Sequence, residues 1–160
     1  MLCNMLRAKQ SKPVFSAEGL RFAIVASRYN QRYADELVAR ANTALRTAGA
    51  DKKDITVVRV PGAFEVPVVV SRLAARGDYD AIIALGVIIR GETAHADLIG
   101  RAVTDALMQI TLRDHVPVVH EVLLLENEQQ AHVRCLQPKH NRGTEAALTA
   151  IEMAHRLRSL

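Results

Sequence analysis

Four runs of strand length, each almost wholly apolar, punctuate this chain: RFAIVAS (21–27), ITVVRVP (55–61), DAIIALGVII (80–89) and VPVVHEVLLL (116–125). A strand with one wet face alternates apolar and polar residues, whereas a strand that is apolar throughout must be covered on both faces. Between these runs lie segments with helical spacing. Residues 31–48 place apolar side chains at 33, 37, 41, 44 and 48 before Gly49, and residues 95–113 carry 99, 103, 106, 107 and 110 on one stripe. Residues 64–76 make a further helix, closed by Gly77, with Pro67 confined to its first turn. A short helix near 126–134 and a last one from about 142 to 158 complete the pattern. Strand–helix alternation of this kind predicts an α/β domain in three layers, α/β/α, with a four-stranded parallel sheet and right-handed crossovers.

The chain's 160 residues suit one such domain, residues 20–160, preceded by a polar arm over 1–19 that Pro13 and Gly19 punctuate. Aromatic residues make up only 4% and tryptophan is absent, so the core is built from Ala, Val, Leu and Ile. The two cysteines, Cys3 and Cys135, match no disulfide framework or metal-binding CxxC pattern. No run of about 18 apolar residues occurs. The opening MLCNMLRAKQSKP is interrupted by Asn4, Arg7, Lys9 and Gln10 before a signal-peptide apolar region could form. A cytoplasmic protein with no membrane partner is expected. The net charge is +4, but the basic residues are scattered without aromatic interleaving, which reads as solvated surface and not as a nucleic-acid face.

In open parallel sheets ligands bind beyond the carboxyl ends of the strands. The residues just after each apolar run are therefore the ones to inspect. They are Ser27-Arg28-Tyr29-Asn30, Pro61-Gly62-Ala63-Phe64-Glu65, Arg90-Gly91-Glu92-Thr93-Ala94-His95, and, beyond the fourth strand and its short helix, Arg134 and Lys139-His140-Asn141-Arg142-Gly143. Several have plain structural readings: Asn30 and Asn141 as helix caps, Pro61-Gly62 as a turn, Thr93 as the cap of the third long helix. His95 is harder to explain that way. It falls in the first turn of a helix, on the stripe of Ile99, Ala102 and Ala106 that points toward the sheet edge. A helix start favours a neutral imidazole that can accept a proton, and its free N–H groups suit a phosphate. His115, His132 and His155 have no partners at metal-ligand spacing, and no HExxH, Walker loop, GxGxxG or GxS-type elbow occurs. Cys135 has no activating base nearby in sequence.

SRYN, VPGAFEVP, DAIIALGVIIRGETAH, Arg134, NRG and AIEMA occur in this order over residues 20–158. Together they resemble the lumazine synthases, whose fold is flavodoxin-like. The resemblance implies condensation of 5-amino-6-(D-ribitylamino)uracil with 3,4-dihydroxy-2-butanone 4-phosphate to 6,7-dimethyl-8-ribityllumazine, with no cofactor or metal. The product would feed riboflavin synthase, the downstream enzyme of riboflavin biosynthesis. It also implies roles for single residues. Tyr29 would stack on the pyrimidine, Asn30, Ala63, Phe64 and Glu65 would surround the ribityl chain, and Val87, Ile88 and Ile89 would offer backbone groups to the pyrimidine. Glu92 and Thr93 would hold the phosphate at the helix start, with Arg134 as its charged clamp. His95 would transfer protons, Glu145 would match the carboxylate that orients it, and Arg142 would replace a lysine that contacts the pyrimidine. His120 stands where the family has an aromatic wall residue and Glu121 where it has a glycine. Pro138 replaces a lysine, and Ala96 an aromatic.

The resemblance further implies a homo-oligomer: a pentamer, with decamers or icosahedral shells in some members, in which the N-terminal segment joins the neighbour's sheet. Tyr29, Glu65 and His95 would come from one subunit, and His120, Arg134 and Arg142 from the next. The apolar Val14 and Phe15 have no evident place in a monomer's core, and an arm could cover an unpaired edge strand. The sequence leaves two other readings open. One is a paralogue that binds a lumazine or flavin without catalysis, motivated by His120 and Glu121. The other is a flavodoxin-like nucleotide-binding module, which leaves His95 and Arg134 unexplained.

Overall fold

The computed structural model describes residues 15–160; Val14 and most of the expected arm lie outside them. The elements follow the alternation. They are β1 (Phe22–Ser27), α1 (Gln31–Thr47), β2 (Ile55–Val60), α2 (Val66–Ala74), β3 (Ala81–Ile89), α3 (His95–Asp114), β4 (Val118–Leu125), α4 (Glu128–Ala131) and α5 (Arg142–Arg158). The sheet has four strands, all parallel, in the order β2-β1-β3-β4.

Burial explains the sequence pattern. All six residues of β1 are buried, because α1 and α5 cover one face of the sheet while α2 and α3 cover the other. Phe22, Ile24 and Ala26 face α1 and α5 together with Ile83 and Leu85; Ala23 and Val25 face α2 and α3 with Ile82 and Ala84. The two outer strands are less protected. On β2, Val57 is exposed, and its outer edge pairs with no strand among the described residues.

Boundaries moved where local chemistry overrode periodicity. The helix expected over 64–76 begins as a 3-10 turn at Ala63–Glu65 and becomes α-helical only at Val66, with Pro67 in the first turn where its missing N–H does no harm. The short helix expected near 126–134 is capped by Asn127, whose side chain accepts from the N–H of Gln130. It then widens into a π-helical turn, His132–Leu136, that carries Arg134 and buried Cys135. Asn141 caps α5 as expected, accepting from the N–H groups of Gly143 and Thr144. Gly143 packs so tightly against α1 that a Cβ there would overlap the carbonyl oxygen of Leu37. Phe15, expected to have no place in a monomer's core, does have one: it stacks on the ring of His155 and packs, half-buried, against the core on the α1 and α5 side of the sheet.

Candidate active site

Strand order reverses between β1 and β3, so α1 and α3 leave the sheet on opposite faces and a crevice opens between them. Here it is a cleft of about 880 Å³. Tyr29 and Asn30 line it from the loop after β1; Gly62, Ala63, Phe64 and Glu65 from the turn after β2; Val87, Ile88 and Ile89 from the end of β3. Helix α3 forms the remaining wall with His95, Leu98, Ile99 and Ala102, the i, i+3, i+4, i+7 spacing of one helix face.

Backbone contacts hold the loops in place. The N–H of Arg28 donates to Val60 O at 2.8 Å and that of Tyr29 to Pro61 O at 3.1 Å, extending the β1–β2 pairing past the last strand residue. Tyr29 and Phe64 are both exposed, at 72% and 62%, so two aromatic faces stand open at the rim for a flat ligand. Gly62 lets this rim close: its N–H donates to Glu65 Oε2 at 2.9 Å, and a Cβ at this position would meet both that oxygen and the Tyr29 ring.

Asn30 does not act as the side-chain cap of α1. Its backbone is left-handed, with φ 54°, and no capping bond forms. Its Nδ2 instead donates to Val87 O at 2.8 Å, across the cleft floor.

The start of α3 is open. Ala94 occupies the cap position with no side-chain bond, and Thr93 Oγ1 accepts only a long contact, 3.4 Å, from the N–H of His95. The first-turn N–H groups of a helix have no intrahelical acceptors. His95 is exposed there, and Glu92 and Thr93 stand on the exposed loop just before it. Arg90 fastens this loop by ion-pairing with Asp97 in the first turn of α3 and, at 3.0 Å, with Glu126 after β4.

A second group of polar residues gathers away from this cleft, where β4, the π-helical turn and the start of α5 meet. Arg142 makes a two-point contact with Glu121, Nε to Oε2 at 3.0 Å and a terminal nitrogen to Oε1 at 2.7 Å, and its other terminal nitrogen reaches Glu145. Burial pushes the Glu121 carboxyl up from the ordinary carboxylate range, against the opposing pull of Arg142. Arg134 makes no hydrogen bond or ion pair among the described residues, though its charge acts on Glu121. On β4, His120 Nδ1 accepts from the N–H of Val122 at 3.1 Å, and its Nε2 lies 2.8 Å from Thr104 Oγ1. The Thr104 hydroxyl already donates to Gly100 O, so the network assigns the proton to Nε2 and leaves the ring neutral. Burial holds His120 below its ordinary pKa of 6.5. Cys135 is buried and its thiol is pushed up to about 12, which excludes a thiolate nucleophile near neutral pH.

The sequence model for 6,7-dimethyl-8-ribityllumazine synthase matches residues 19–158. Proteins of that name from Chlorobium phaeobacteroides and Aquifex aeolicus are 43% and 45% identical to the chain. The first alignment covers 94% of this chain and 97% of the relative, the second 91% and 94%. The chain belongs to the lumazine synthase family.

Against the family's pattern, the residues fall into two sets. Tyr29, Asn30, Ala63, Phe64, Glu65, the end of β3 and His95 share the cleft. His120, Arg134, Arg142 and Glu145 do not line it, and within one chain Glu145 meets Arg142 and not His95. Three features escaped the sequence reading. Leu98 lies one helical step from His95 on the same wall, a position the 3.6-residue period could have flagged. Gly62 read as a turn residue, but its lack of a side chain is what admits Glu65 and Tyr29. Glu121 read only as a departure from the family, because nothing in the sequence pairs it with Arg142, 21 residues away. Among the described residues no cluster of His, Cys, Asp and Glu could hold a metal ion, and no helix is long and apolar enough to cross a membrane.

Proposed function

We propose that this protein condenses 5-amino-6-(D-ribitylamino)uracil with 3,4-dihydroxy-2-butanone 4-phosphate, releasing phosphate and water to give 6,7-dimethyl-8-ribityllumazine. The observation that carries this reading is a cleft that brings together two exposed aromatic side chains at its rim, Glu65, Asn30 and His95 beside an uncapped helix start. Family membership supplies the substrates. The reaction needs an amine to condense with a ketone, phosphate to depart and a ring to close. Nucleophile and electrophile are already present in the substrates, so the protein's main contribution is orientation together with proton transfer.

The pyrimidine lies against Tyr29 with its ribityl chain near Asn30, Ala63, Phe64 and Glu65, and backbone groups of Val87, Ile88 and Ile89 meet the ring edge. The phosphate sits on the N–H groups at the start of α3, beside Glu92 and Thr93, where a helix favours an anion. His95, in that same turn, moves the protons.

A second copy of the chain completes the site with His120, Arg134, Arg142 and Glu145. Three observations support this assignment. Those side chains stand outside the cleft, Arg134 makes no hydrogen bond or ion pair among the described residues, and the outer edge of β2 pairs with no strand among them. A guanidinium can bind two phosphate oxygens at once, which suits Arg134 to the clamp. A homopentamer in the cytoplasm, with larger shells built from it and riboflavin synthase using the product, is the assembly and setting that follow.

The experiment is direct. Folded protein is mixed with both substrates, and lumazine formation is followed by absorbance and fluorescence against the uncatalysed background. Product formation well above background supports the reading. A protein that binds lumazine but forms none would favour the binding-only paralogue that His120 and Glu121 bring to mind.

A further inference from the structure

We propose that Glu121 is a positioning residue for pyrimidine recognition: its carboxylate holds the Arg142 guanidinium in one orientation and so determines which N–H groups face the substrate. The inference rests on the proposed function, in which Arg142 contacts the pyrimidine from a neighbouring copy.

Glu121 is 8% exposed, on a strand whose other residues apart from His120 are all apolar. A carboxylate buried to that degree is costly unless it is paired with good geometry. Its pairing here has that geometry. Both carboxylate oxygens accept, one from Arg142 Nε at 3.0 Å and one from a terminal nitrogen at 2.7 Å. The planar guanidinium has five N–H donors in a fixed fork. Two are taken by Glu121 and a third by Glu145, which leaves one N–H on each terminal nitrogen. Because the fork is rigid, fixing one side of it sets the direction of the two remaining donors.

The backbone beneath Arg142 is already anchored. Asn141 caps α5 and donates from its side chain to Cys135 O, and Gly143 is pressed against Leu37. What is left free is the long side chain itself. Glu145 restrains it at one point only, from within α5. Among the described residues Glu121 alone ties it to the sheet, at the residue next to His120. Without Glu121 the guanidinium pivots about Glu145 and its donors lose their fixed direction, while the helix stays in place. The expected signature is weaker binding of the pyrimidine substrate with little change in its turnover once bound.

Four variants test this: Glu121→Gln, Glu121→Gly, Arg142→Lys, and Glu121→Gly combined with Arg142→Lys. Folding is checked by circular dichroism, and KM for each substrate and kcat are measured separately. Glu121→Gln and Glu121→Gly are expected to raise KM for the ribitylaminouracil about tenfold, with kcat and KM for the butanone phosphate within about twofold of the parent. The ammonium of a lysine is a compact charge that needs no fork partner. The double variant should therefore regain most of the affinity that Glu121→Gly loses. Binding of 6,7-dimethyl-8-ribityllumazine, read by fluorescence without turnover, should show the same order. Unchanged pyrimidine KM in both Glu121 variants overturns the inference, as does an equal loss for both substrates or no recovery in the double variant. A parent protein that binds lumazine but does not turn over refutes the proposed catalysis, and the fluorescence series then still decides the role of Glu121. A parent that neither turns over nor binds lumazine overturns both.

Discussion

Asn30 donates its side-chain amide to the carbonyl oxygen of Val87 at 2.8 Å, joining the turn after β1 to the end of β3 at the point where the strand order reverses. Backbone and side chain contribute separately to this bond. The left-handed φ of 54° is tolerated by asparagine and glycine and strained for other residues. Replacing Asn30 by Gly should keep the turn and lose the bond, at about 1 kcal/mol. Asn30→Ala should lose both and fall about 1 kcal/mol lower again. Urea denaturation of the three proteins checks the order, and an alanine variant as stable as the glycine one would contradict it.

Gly143 marks the tightest approach of α5 to α1. A Cβ there meets the backbone carbonyl of Leu37, which no side-chain rotation can move aside. Gly143→Ala is therefore expected to destabilise the fold by about 3 kcal/mol, the upper part of the range for overpacking. A change in the denaturation midpoint equivalent to less than about 0.5 kcal/mol, the usual surface value, would show that the helices part easily.

His120 gives the stability a pH dependence with a definite sign. Burial depresses its folded pKa below the ordinary 6.5, and Nδ1 is occupied as an acceptor of the Val122 N–H. Above the ordinary value both folded and unfolded chains hold it neutral, and its contribution is complete. As the pH falls below 6.5, the unfolded chain takes up a proton that the folded chain refuses, so stability is lost until the folded pKa is passed. His120→Gln should flatten that limb of the stability curve. An unchanged slope between neutral pH and the carboxylate range would remove His120 as its cause.

His95 is exposed and makes no side-chain bond among the described residues that the fold depends on. His95→Ala should leave the denaturation midpoint within about 0.5 kcal/mol of the parent. It should slow turnover by about 10²–10⁴-fold, the usual contribution of a general acid–base group. Residual activity from substrate orientation is expected to remain. Unchanged turnover would take His95 out of the mechanism.

The sheet was legible because its central strands, β1 and β3, are covered on both faces, which turns burial into uninterrupted apolar text. The start of α5 at Arg142 was legible too, since Asn141 caps it by local chemistry that sequence displays. Asn30 was not, because the same residue type serves as a cap or as a left-handed turn, and only the nearness of Val87 decides between them. The π-helical turn at His132–Leu136 has no period of its own to read. Glu121 illustrates the general limit. Periodicity reports that its position is buried, but what neutralises a buried carboxylate depends on which residues of another element arrive beside it. The division of the polar residues between the cleft and the start of α5 is likewise a property of the folded chain, which residue spacing alone does not express.

Mixing two inactive variants shows whether the cleft of one chain is completed by the Arg134 side of another. His95→Ala spoils the cleft half and Arg134→Ala the other half. The two proteins are dissociated, combined and reassembled, with co-assembly verified by a tag on one partner, and lumazine formation is then measured. If the site is shared in this way, each variant alone is nearly inactive and the mixed assembly regains activity at interfaces where an intact His95 meets an intact Arg134. Verified co-assembly without any return of activity would contradict it, because each chain would then hold a complete site of its own.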